Sequence, residues 1–267
     1  MAKNYTYVEG AEFPYQYKYE HMAVTTDCII FTYEDQKLKV LLVRRGLEPF
    51  KGDWAFPGGF LRMNETAEEG ALRELKEETS IEAAPIRELG VYSDVDRDPR
   101  ERVITIAFYA LIKHSEVVGG DDAAEAAWFS IDEMPTLAFD HLKIWNAAME
   151  RLRRDIHFEP VGFDLLDETF TIPDLQRLYE LILNTKFDRR NFQRKMLASA
   201  ILEEVPKIPS TDIAPARQQK AESPMSVSFL CSKADNGKKK PGREASLFRL
   251  NEEKYAALKH HMLKLEF

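Results

Sequence analysis

Runs of apolar and β-branched residues dominate the first half of the chain and predict strands. Residues 21–31 and 38–43 flank a polar turn at residues 34–36, so we expect a β-hairpin there. Residues 103–112 give another strong strand pattern, and residues 127–129 give a short one. Strands with a helix in their midst predict a mixed α/β or α+β first domain.

Apolar positions recur at helical spacing in three stretches, residues 66–78, 139–154 and 175–183. A basic helix is expected at residues 188–202, and a terminal helix at residues 252–265. The second half of the chain is therefore predicted to be largely helical.

Residues 206–241 interrupt this helical half. They contain five prolines, a run of three lysines, and Ser, Gln and Ala. That composition predicts a mobile loop with one short strand, residues 226–231, inside it, and order returns at residues 246–250. We expect one domain over residues 1–155 and a second over residues 156–267.

The composition is that of a water-soluble chain. It contains no run of about 18 apolar residues, so no membrane-spanning helix is expected. The start of the chain lacks the basic end and apolar middle of a signal peptide. Cys28 and Cys231 are far apart in sequence, which argues against a structural disulfide and for a cytoplasmic protein.

The net charge of −8 is unevenly distributed. Residues 1–155 hold the acidic excess, whereas residues 156–267 are slightly basic. This difference predicts an acidic first domain that collects cations and a more basic second domain. Chance variation between two solvated surfaces would give the same composition.

The helix predicted at residues 66–78 has a carboxylate-rich face. Thr66 and Glu69 have the spacing of a capping box at its start. Glu74, Glu77 and Glu78 lie on one side, because residues three and four apart are neighbours on a helix. Clustered carboxylates repel one another unless a cation lies between them, and Mg²⁺ prefers oxygen ligands that it shares with phosphate. A solvated acidic helix held by ion pairs is the alternative.

The residues around this helix follow a defined spacing. They run Gly59-x5-Glu65-x7-Arg73-Glu74-Leu75-x-Glu77-Glu78-x-Ser80-Ile81. This pattern resembles the Nudix box at every defined position except Ser80, where the box has glycine. The resemblance implies a Nudix fold, a mixed sheet sandwiched by helices. It also implies hydrolysis of a nucleoside diphosphate linked to another moiety.

The resemblance implies roles for individual residues as well. The implied ligands of Mg²⁺, or of Mn²⁺ in its place, are the Gly58 carbonyl, Glu74, Glu77 and Glu78. Arg73 would orient Glu74, and Glu65 would be structural. A further catalytic acid often comes from a later loop, for which Glu125 is the candidate, with an ordinary surface residue as the alternative.

Arginines near the box are candidates for ligand contacts. The sequence of residues 96–100, Asp-Arg-Asp-Pro-Arg, resembles the corresponding segment of ADP-ribose-binding Nudix proteins. This resemblance favours an ADP-ribose-like ligand, whereas a turn held by Asp and Pro is the alternative. The residues expected to contact phosphate, ribose or base are Arg44, Phe60, Arg97 and Arg102, with Arg45 and Arg100 as further candidates.

The second domain contains two short helices joined by a tight turn, and the second helix is basic. This arrangement predicts a helix-turn-helix, with the second helix in a major groove of DNA. The predicted DNA contacts are Arg189, Arg190, Asn191, Arg194 and Lys195 on that helix, and Arg243 on a wing strand. A basic helix that docks on the acidic first domain is the alternative.

The order of these motifs carries a second resemblance. A Nudix box, a helix after Phe170-Thr171, the basic helix and Gly242-Arg243 together resemble Nudix-related transcriptional regulators with a C-terminal winged helix. The resemblance implies double-stranded DNA as a partner and a two-fold homodimer.

Three functions remain open from the sequence. The first is a hydrolase coupled to DNA binding, and the second is a ligand-sensing regulator with weak or no hydrolysis. In the third, the C-terminal domain serves only for dimerisation.

Overall fold

A mixed sheet is the centre of the first domain. The computed structural model describes residues 5–7, 9, 15–17, 19–82, 84–119, 123–159, 161–206 and 246–259. The strands of the first domain are β1 Tyr5–Tyr7, β2 Tyr15–Tyr17, β3 Ala23–Glu34, β4 Lys37–Arg45, β5 Trp54–Ala55, β6 Gly58–Phe60, β7 Arg87–Tyr92, β8 Val103–Leu111 and β9 Ala123–Ser130. The first two form a separate antiparallel hairpin, and the other seven form the sheet.

Helices cover the sheet and build the second domain. They are α1 Ala67–Thr79, α2 His141–Asp155, α3 Ile172–Leu183, α4 Arg189–Ala198 and α5 Glu252–Lys259. The strands β10 Leu202–Glu204 and β11 Phe248–Leu250 pair antiparallel after α4. Two helices followed by a two-stranded hairpin are the parts of a winged helix.

The long strand β3 brings the glycine-rich strand β6 to the middle of the sheet. The main strand order is β5-β4-β3-β8-β7, with β3 and β8 parallel. The C-terminal end of β3 pairs with β4, whereas its N-terminal part pairs with β6, so that Asp27 lies opposite Gly58. Because β6 is followed by α1, the carboxylate helix begins directly beside the central strand.

Side chains along β3 alternate between two apolar cores, as the period of two in a strand requires. Cys28 and Ile30 pack with Leu75 of α1 on one face. Ile29 and Phe31 point to the other face and join a larger apolar cluster. The sheet is therefore buried on both faces, which explains why the strand sequences are apolar almost throughout.

The larger core is shared between the two domains. Its helical members come from α2, α3 and α4 and include Ile144, Trp145, Leu152, Leu175, Leu178, Tyr179, Phe192 and Met196. Ile156, next to the predicted boundary between residues 155 and 156, is fully buried in the same cluster. No solvated linker separates the described parts of the two domains at this point.

The predicted fold class and element order are confirmed. The hairpin turn is made by Asp35 and Gln36, with φ of 51° and 60°, as two-residue hairpin turns require. No helix in the described ranges is long and apolar enough to cross a bilayer.

One helix end and one strand differ from expectation. The basic helix is shorter than predicted, because the chain turns at Ala200, with φ of 60°, and enters β10 at Leu202. Strand β7 was not predicted, since its residues alternate only weakly between apolar and polar. The strand predicted at residues 226–231 and the end of the terminal helix lie outside the described residues.

Candidate functional site

The caps of α1 fix the position of its carboxylates. Thr66 Oγ1 accepts from the Glu69 N–H at 3.2 Å, and the Glu69 carboxylate accepts from the Thr66 N–H at 2.8 Å. The predicted capping box is therefore present. Ser80 ends the helix with φ 65° and ψ 12°, the left-handed conformation that glycine adopts freely. Serine thus preserves the helix end at a cost of about 1 kcal/mol.

Arg73 is the centre of the hydrogen-bond network on this helix. Its Nε and Nη2 donate to the two carboxylate oxygens of Glu65 at 2.9 and 2.7 Å. Its Nη1 donates to Glu74 at 2.6 Å and to Glu77 at 2.9 Å. The guanidinium therefore compensates three carboxylates and joins Glu65, which precedes the helix, to Glu74 and Glu77 within it.

Close backbone approach explains the two glycines before the helix. A Cβ on Gly59 would lie 2.5 Å from the Glu74 carboxylate, and a Cβ on Gly58 would lie 2.0 Å from the Thr26 carbonyl oxygen. The Gly58 N–H donates to Glu78 at 2.9 Å. Gly58 is therefore required for the close pairing of β6 with β3, and any larger residue at position 59 would displace the Glu74 carboxylate.

Glu78 is the most buried carboxylate of the group. Its pKa is raised from 4.5 to about 8, mainly by burial and also by the neighbouring charges of Glu74 and Asp27, against the hydrogen bond from Gly58. Burial likewise raises the pKa of Glu74. A bound cation would stabilise the ionised forms of these adjacent carboxylates and so oppose the rise in their pKa values.

The donor set fits a hard divalent cation. Glu74, Glu77 and Glu78 present carboxylate oxygens from one helix face, and oxygen is the ligand that Mg²⁺ prefers. Within the described ranges, however, no group of three or more His, Cys, Asp or Glu side chains is arranged to hold a metal ion. In this arrangement Glu74 and Glu77 both accept from Arg73 Nη1.

Glu125 lies on β9 opposite Arg44 on β4, with 3.8 Å between their charged atoms. Both side chains are about half exposed. Within the described part of the chain, no hydrogen bond or ion pair joins Glu125 to the carboxylates of α1. The structure therefore pairs two of the predicted site residues with each other rather than with the helix.

A cluster of two arginines and two aromatic rings lies beside the box; we call Arg45, Arg100, Phe60 and Phe139 the arginine–aromatic cluster. The Arg100 guanidinium carbon is 5.2 Å from the Phe60 ring centroid and 5.9 Å from that of Phe139. The Arg45 guanidinium carbon is 4.7 Å from the Phe139 centroid. These are cation–π distances. The cluster unites candidates from three separate parts of the sequence.

The backbone is strained at this cluster. Phe139 has φ 52°, and Phe50, whose ring packs edge-on against it at 4.8 Å, has φ 61°. Bulky residues in the left-handed region cost about 1–3 kcal/mol each, and such strain concentrates at functional sites. Neither phenylalanine was predicted as a site residue, because no local sequence pattern indicates a strained backbone at an aromatic residue.

Arg97 and Arg102 are engaged by the protein itself. Arg97 is buried, and its Nε and Nη2 donate to the Asp140 carboxylate at 3.2 and 2.8 Å. Arg102 donates to the backbone carbonyls of Ser93 and Asp94 at 2.8 and 2.9 Å. Both guanidiniums thus hold the loop between β7 and β8, and the ligand contacts of these two arginines stay predictions.

A buried polar network behind the box was not predicted. Asp27 accepts from the Thr105 hydroxyl at 2.6 Å and lies 3.5 Å from His141 Nε2. The Phe56 N–H donates to His141 Nδ1 at 3.0 Å, and burial lowers the pKa of this histidine. The network joins β3, the strand leading into the box, and the start of α2. Asp27 and His141 are more than a hundred positions apart, so no local pattern connects these residues.

The helix-turn-helix is well defined. The Asp188 carboxylate caps α4 by accepting from the Asn191 N–H at 2.9 Å. Glu180 fixes the turn, since it accepts from the Phe187 N–H at 3.0 Å and from Lys186 Nζ at 2.9 Å. Phe192 and Met196 face the core. Four of the residues predicted to contact DNA are exposed: Arg189, Arg190, Asn191 and Arg194. Lys195 is partly exposed, and Arg243 lies outside the described residues.

Two protein families match this chain. Residues 22–149 match the NUDIX domain, and residues 162–218 match the NrtR DNA-binding winged helix domain.

Proteins of known name resemble one or both parts. An ADP-ribose pyrophosphatase of Methanocaldococcus jannaschii is 48% identical over 126 residues, which are 47% of this chain and 72% of that protein. The ADPR responsive transcriptional repressor NtrR of Acinetobacter baylyi is 30% identical over 193 residues, 70% of this chain and 76% of that protein. The crystal structure of Shewanella oneidensis NrtR complexed with a 27mer DNA matches with a TM-score of 0.63 and 28% identity, covering 87% of this chain and 95% of that one.

Proposed function

Because the chain belongs to the Nudix family and carries an NrtR-type winged-helix domain, we propose that it hydrolyses an ADP-ribose-like nucleoside diphosphate in a metal-dependent reaction and couples that site to DNA binding. The observation that supports hydrolysis most strongly is the complete carboxylate set of α1. Glu74, Glu77 and Glu78 are all present, and Arg73 holds two of them. The similarity to an ADP-ribose pyrophosphatase supports the substrate class.

In this proposal, Glu74, Glu77, Glu78 and the Gly58 carbonyl hold Mg²⁺ or Mn²⁺. When bound, the ion neutralises the diphosphate and makes a coordinated water more acidic. Arg73 keeps Glu74 and Glu77 in position, and the Gly58 N–H keeps Glu78 in position. Arg44, Glu125 and Phe60 face solvent beside the box and supply further ligand contacts.

A product assay tests hydrolysis. The full chain is incubated with ADP-ribose and Mg²⁺, and AMP is measured. We expect Glu78→Gln to lower turnover by at least about 100-fold. Changing a residue that only supports a metal ligand already costs up to about 100-fold, and Glu78 is itself a proposed ligand. Glu68→Gln, in the exposed first turn of α1, is the matched control and should keep full activity. Absence of AMP from the wild-type chain would refute hydrolysis of this substrate.

A second candidate function is a sensor that binds the ligand with little turnover. One observation favours it: Ser80 stands where the box has glycine, and it ends α1 in a strained left-handed conformation. Tight binding of ADP-ribose with no AMP formed would establish this candidate. Turnover at a rate typical of enzymes, about 1 per second or faster, would exclude it.

We propose that α4 binds the major groove of double-stranded DNA and that the protein acts as a homodimer. The exposed basic side chains of α4 and the similarity to a repressor and to a DNA complex support this. Binding should weaken steeply with salt, because phosphate contacts release counterions.

A DNA-binding assay tests this part of the proposal. Changing both Arg189 and Arg190 to Ala should lower affinity for cognate promoter DNA by at least about tenfold, since each contact to a base or phosphate contributes about 1–3 kcal/mol. A variant with both Lys37 and Lys113 changed to Ala, two exposed residues of the first domain, is the control with the same loss of charge. A monomeric protein, or affinity that ignores salt, would contradict the proposal. Added ADP-ribose should change the DNA affinity if the two sites are coupled.

A further inference from the structure

We propose that His141, the first residue of α2, is a positioning residue for the proposed metal site, because its side chain fixes the strand segment that ends at Gly58. This inference deepens the proposed function and rests on its metal site. Within the described residues, no hydrogen bond or ion pair joins the imidazole to the carboxylates of α1. The ring therefore acts through the backbone that leads into the box.

His141 is buried, and each of its ring nitrogens has its own neighbour. Only 3% of the residue is exposed. Nδ1 accepts from the Phe56 N–H at 3.0 Å, and Nε2 lies 3.5 Å from the Asp27 carboxylate. Burial lowers the pKa of this histidine, against the charges of Asp27 and Asp140. A neutral ring that accepts at Nδ1 carries its proton on Nε2, so the ring presents a fixed acceptor to Phe56 and a donor toward Asp27.

The segment that His141 holds is short and is fixed at successive backbone groups. After the contact at the Phe56 N–H, the Pro57 carbonyl accepts from a backbone N–H of β3 at 2.8 Å. The Gly58 N–H then donates to the Glu78 carboxylate at 2.9 Å. The Phe56 ring lies nearly parallel to the imidazole, with 5.2 Å between the centroids. The position of Gly58 thus depends on a contact only two residues before it.

Asp27 borders the same segment from β3. It lies opposite Gly58 in the strand pairing, and a Cβ on Gly58 would lie 3.0 Å from its Oδ1. The Thr105 hydroxyl donates to this carboxylate at 2.6 Å. The carboxylate that faces His141 is therefore in the same place as the backbone of the proposed metal ligand.

Loss of the imidazole would disturb this arrangement. An apolar side chain at position 141 would leave the buried Phe56 N–H without its acceptor, and a buried unpaired donor is costly. Gly58 contributes both a proposed ligand, its carbonyl, and the N–H that holds Glu78. A shift of the segment would therefore alter two proposed ligands together. Groups that orient metal ligands in this indirect way typically contribute about 10–100-fold to metal affinity or activity.

Mn²⁺ binding by the full chain tests the role without turnover. Free Mn²⁺ is measured by electron paramagnetic resonance during a titration, and AMP formation from ADP-ribose is measured in parallel. We expect His141→Leu to weaken Mn²⁺ binding and to lower turnover at fixed Mn²⁺, each by about 10–100-fold. His141→Asn, whose Oδ1 can accept from the Phe56 N–H, should restore most of the affinity. His141→Gln, whose polar atoms lie farther along the side chain, near the position of Nε2, should not.

A control separates positioning from stability. Met149→Ala removes a buried side chain from the same helix, so it should lower the unfolding temperature and leave Mn²⁺ affinity unchanged. An equal loss of Mn²⁺ affinity in Met149→Ala and His141→Leu would refute the positioning role, because general destabilisation would then explain both. If His141→Leu does not fold, the comparison of the Asn and Gln variants decides.

The outcomes distinguish this inference from the proposed function. AMP formation by the wild type, with unchanged Mn²⁺ affinity in every His141 variant, would refute the positioning role and leave the proposed function standing. Mn²⁺ binding that the Leu variant weakens and the Asn variant restores, with no AMP from the wild type, would support the positioning role and refute hydrolysis. Equal losses in the Asn and Gln variants would refute action through the Phe56 N–H. A wild-type chain that binds no Mn²⁺ would refute the positioning role together with the metal site.

Discussion

Ser80 shows how a single departure from a motif is accommodated at the residue scale. It ends α1 in the left-handed conformation with its N–H donating to the Lys76 carbonyl, so the helix end that a glycine would give is retained. The strain is local, because the carboxylates lie one turn or more before it. The departure should therefore affect stability more than the positions of Glu74, Glu77 and Glu78.

We expect Ser80→Gly to raise the free energy of unfolding by up to about 1 kcal/mol, since relief of the strained φ exceeds the added chain entropy of glycine. Urea unfolding followed by circular dichroism measures this. Ser80→Ala keeps the Cβ and the strain, so it should show no gain. A stability loss in the glycine variant would show that the serine side chain stabilises the helix end.

The sequence could predict the parts of the site whose residues lie close together along the chain, but not the parts that folding assembles from distant positions. The box lies within one short stretch, so its spacing identified the carboxylates and their capping box. Asp27, Phe139 and His141 come from opposite ends of the first domain, and only folding brings them to the box. The partner that the structure gives Arg97, Asp140, was not predicted for the same reason, because it lies 43 positions away.

At the scale of elements, α2 links the loop beside the ligand site to the winged helix. Its first turn is tied to that loop through Arg97 and Asp140, and Arg153 in its last turn donates to the Ile182 carbonyl of α3 at 3.1 Å. One helix thus contacts the loop between β7 and β8 at one end and the helix-turn-helix at the other. A shift of the loop would reach α3 through a rigid element.

The Arg97–Asp140 pair should contribute strongly to the position of α2. We expect Asp140→Ala to lower the free energy of unfolding by about 3 kcal/mol, because it leaves a buried guanidinium without its main partner. Asp94→Ala removes an exposed ion pair with Lys143 in the same region and should change stability little. Chemical denaturation compares the two variants. Similar effects of both would show that burial of Arg97 does not govern this contact.

At the scale of the molecule, the two domains share one apolar core. The sheet of the first domain is covered on one face by α1 and on the other by α2 and the helices of the winged helix. The sequence predicted two domains, because helical and strand patterns and charge change along the chain. It could not predict that they share a core, since an apolar helix face does not identify the surface on which it packs.

A shared core should make the chain unfold as one unit. We expect Leu178→Ala, at a fully buried position of α3, to lower stability by about 2–5 kcal/mol. Near-ultraviolet signals and the ligand-binding site of the first domain should be lost in the same transition. Leu197→Ala, at an exposed position of α4, is the control. Separate transitions for the two domains would contradict this expectation.

The shared core also limits how the chain could be recombined with other proteins. The archaeal pyrophosphatase matches over 126 residues, whereas here the helices of the winged helix cover one face of that domain's sheet together with α2. A chimera that joins residues 22–149 to a different DNA-reading module would expose to water the apolar part of β4 on which α3 packs. Any exchange of operator specificity in this architecture therefore has to occur on the outer surface of α4, with the buried side of the module kept unchanged.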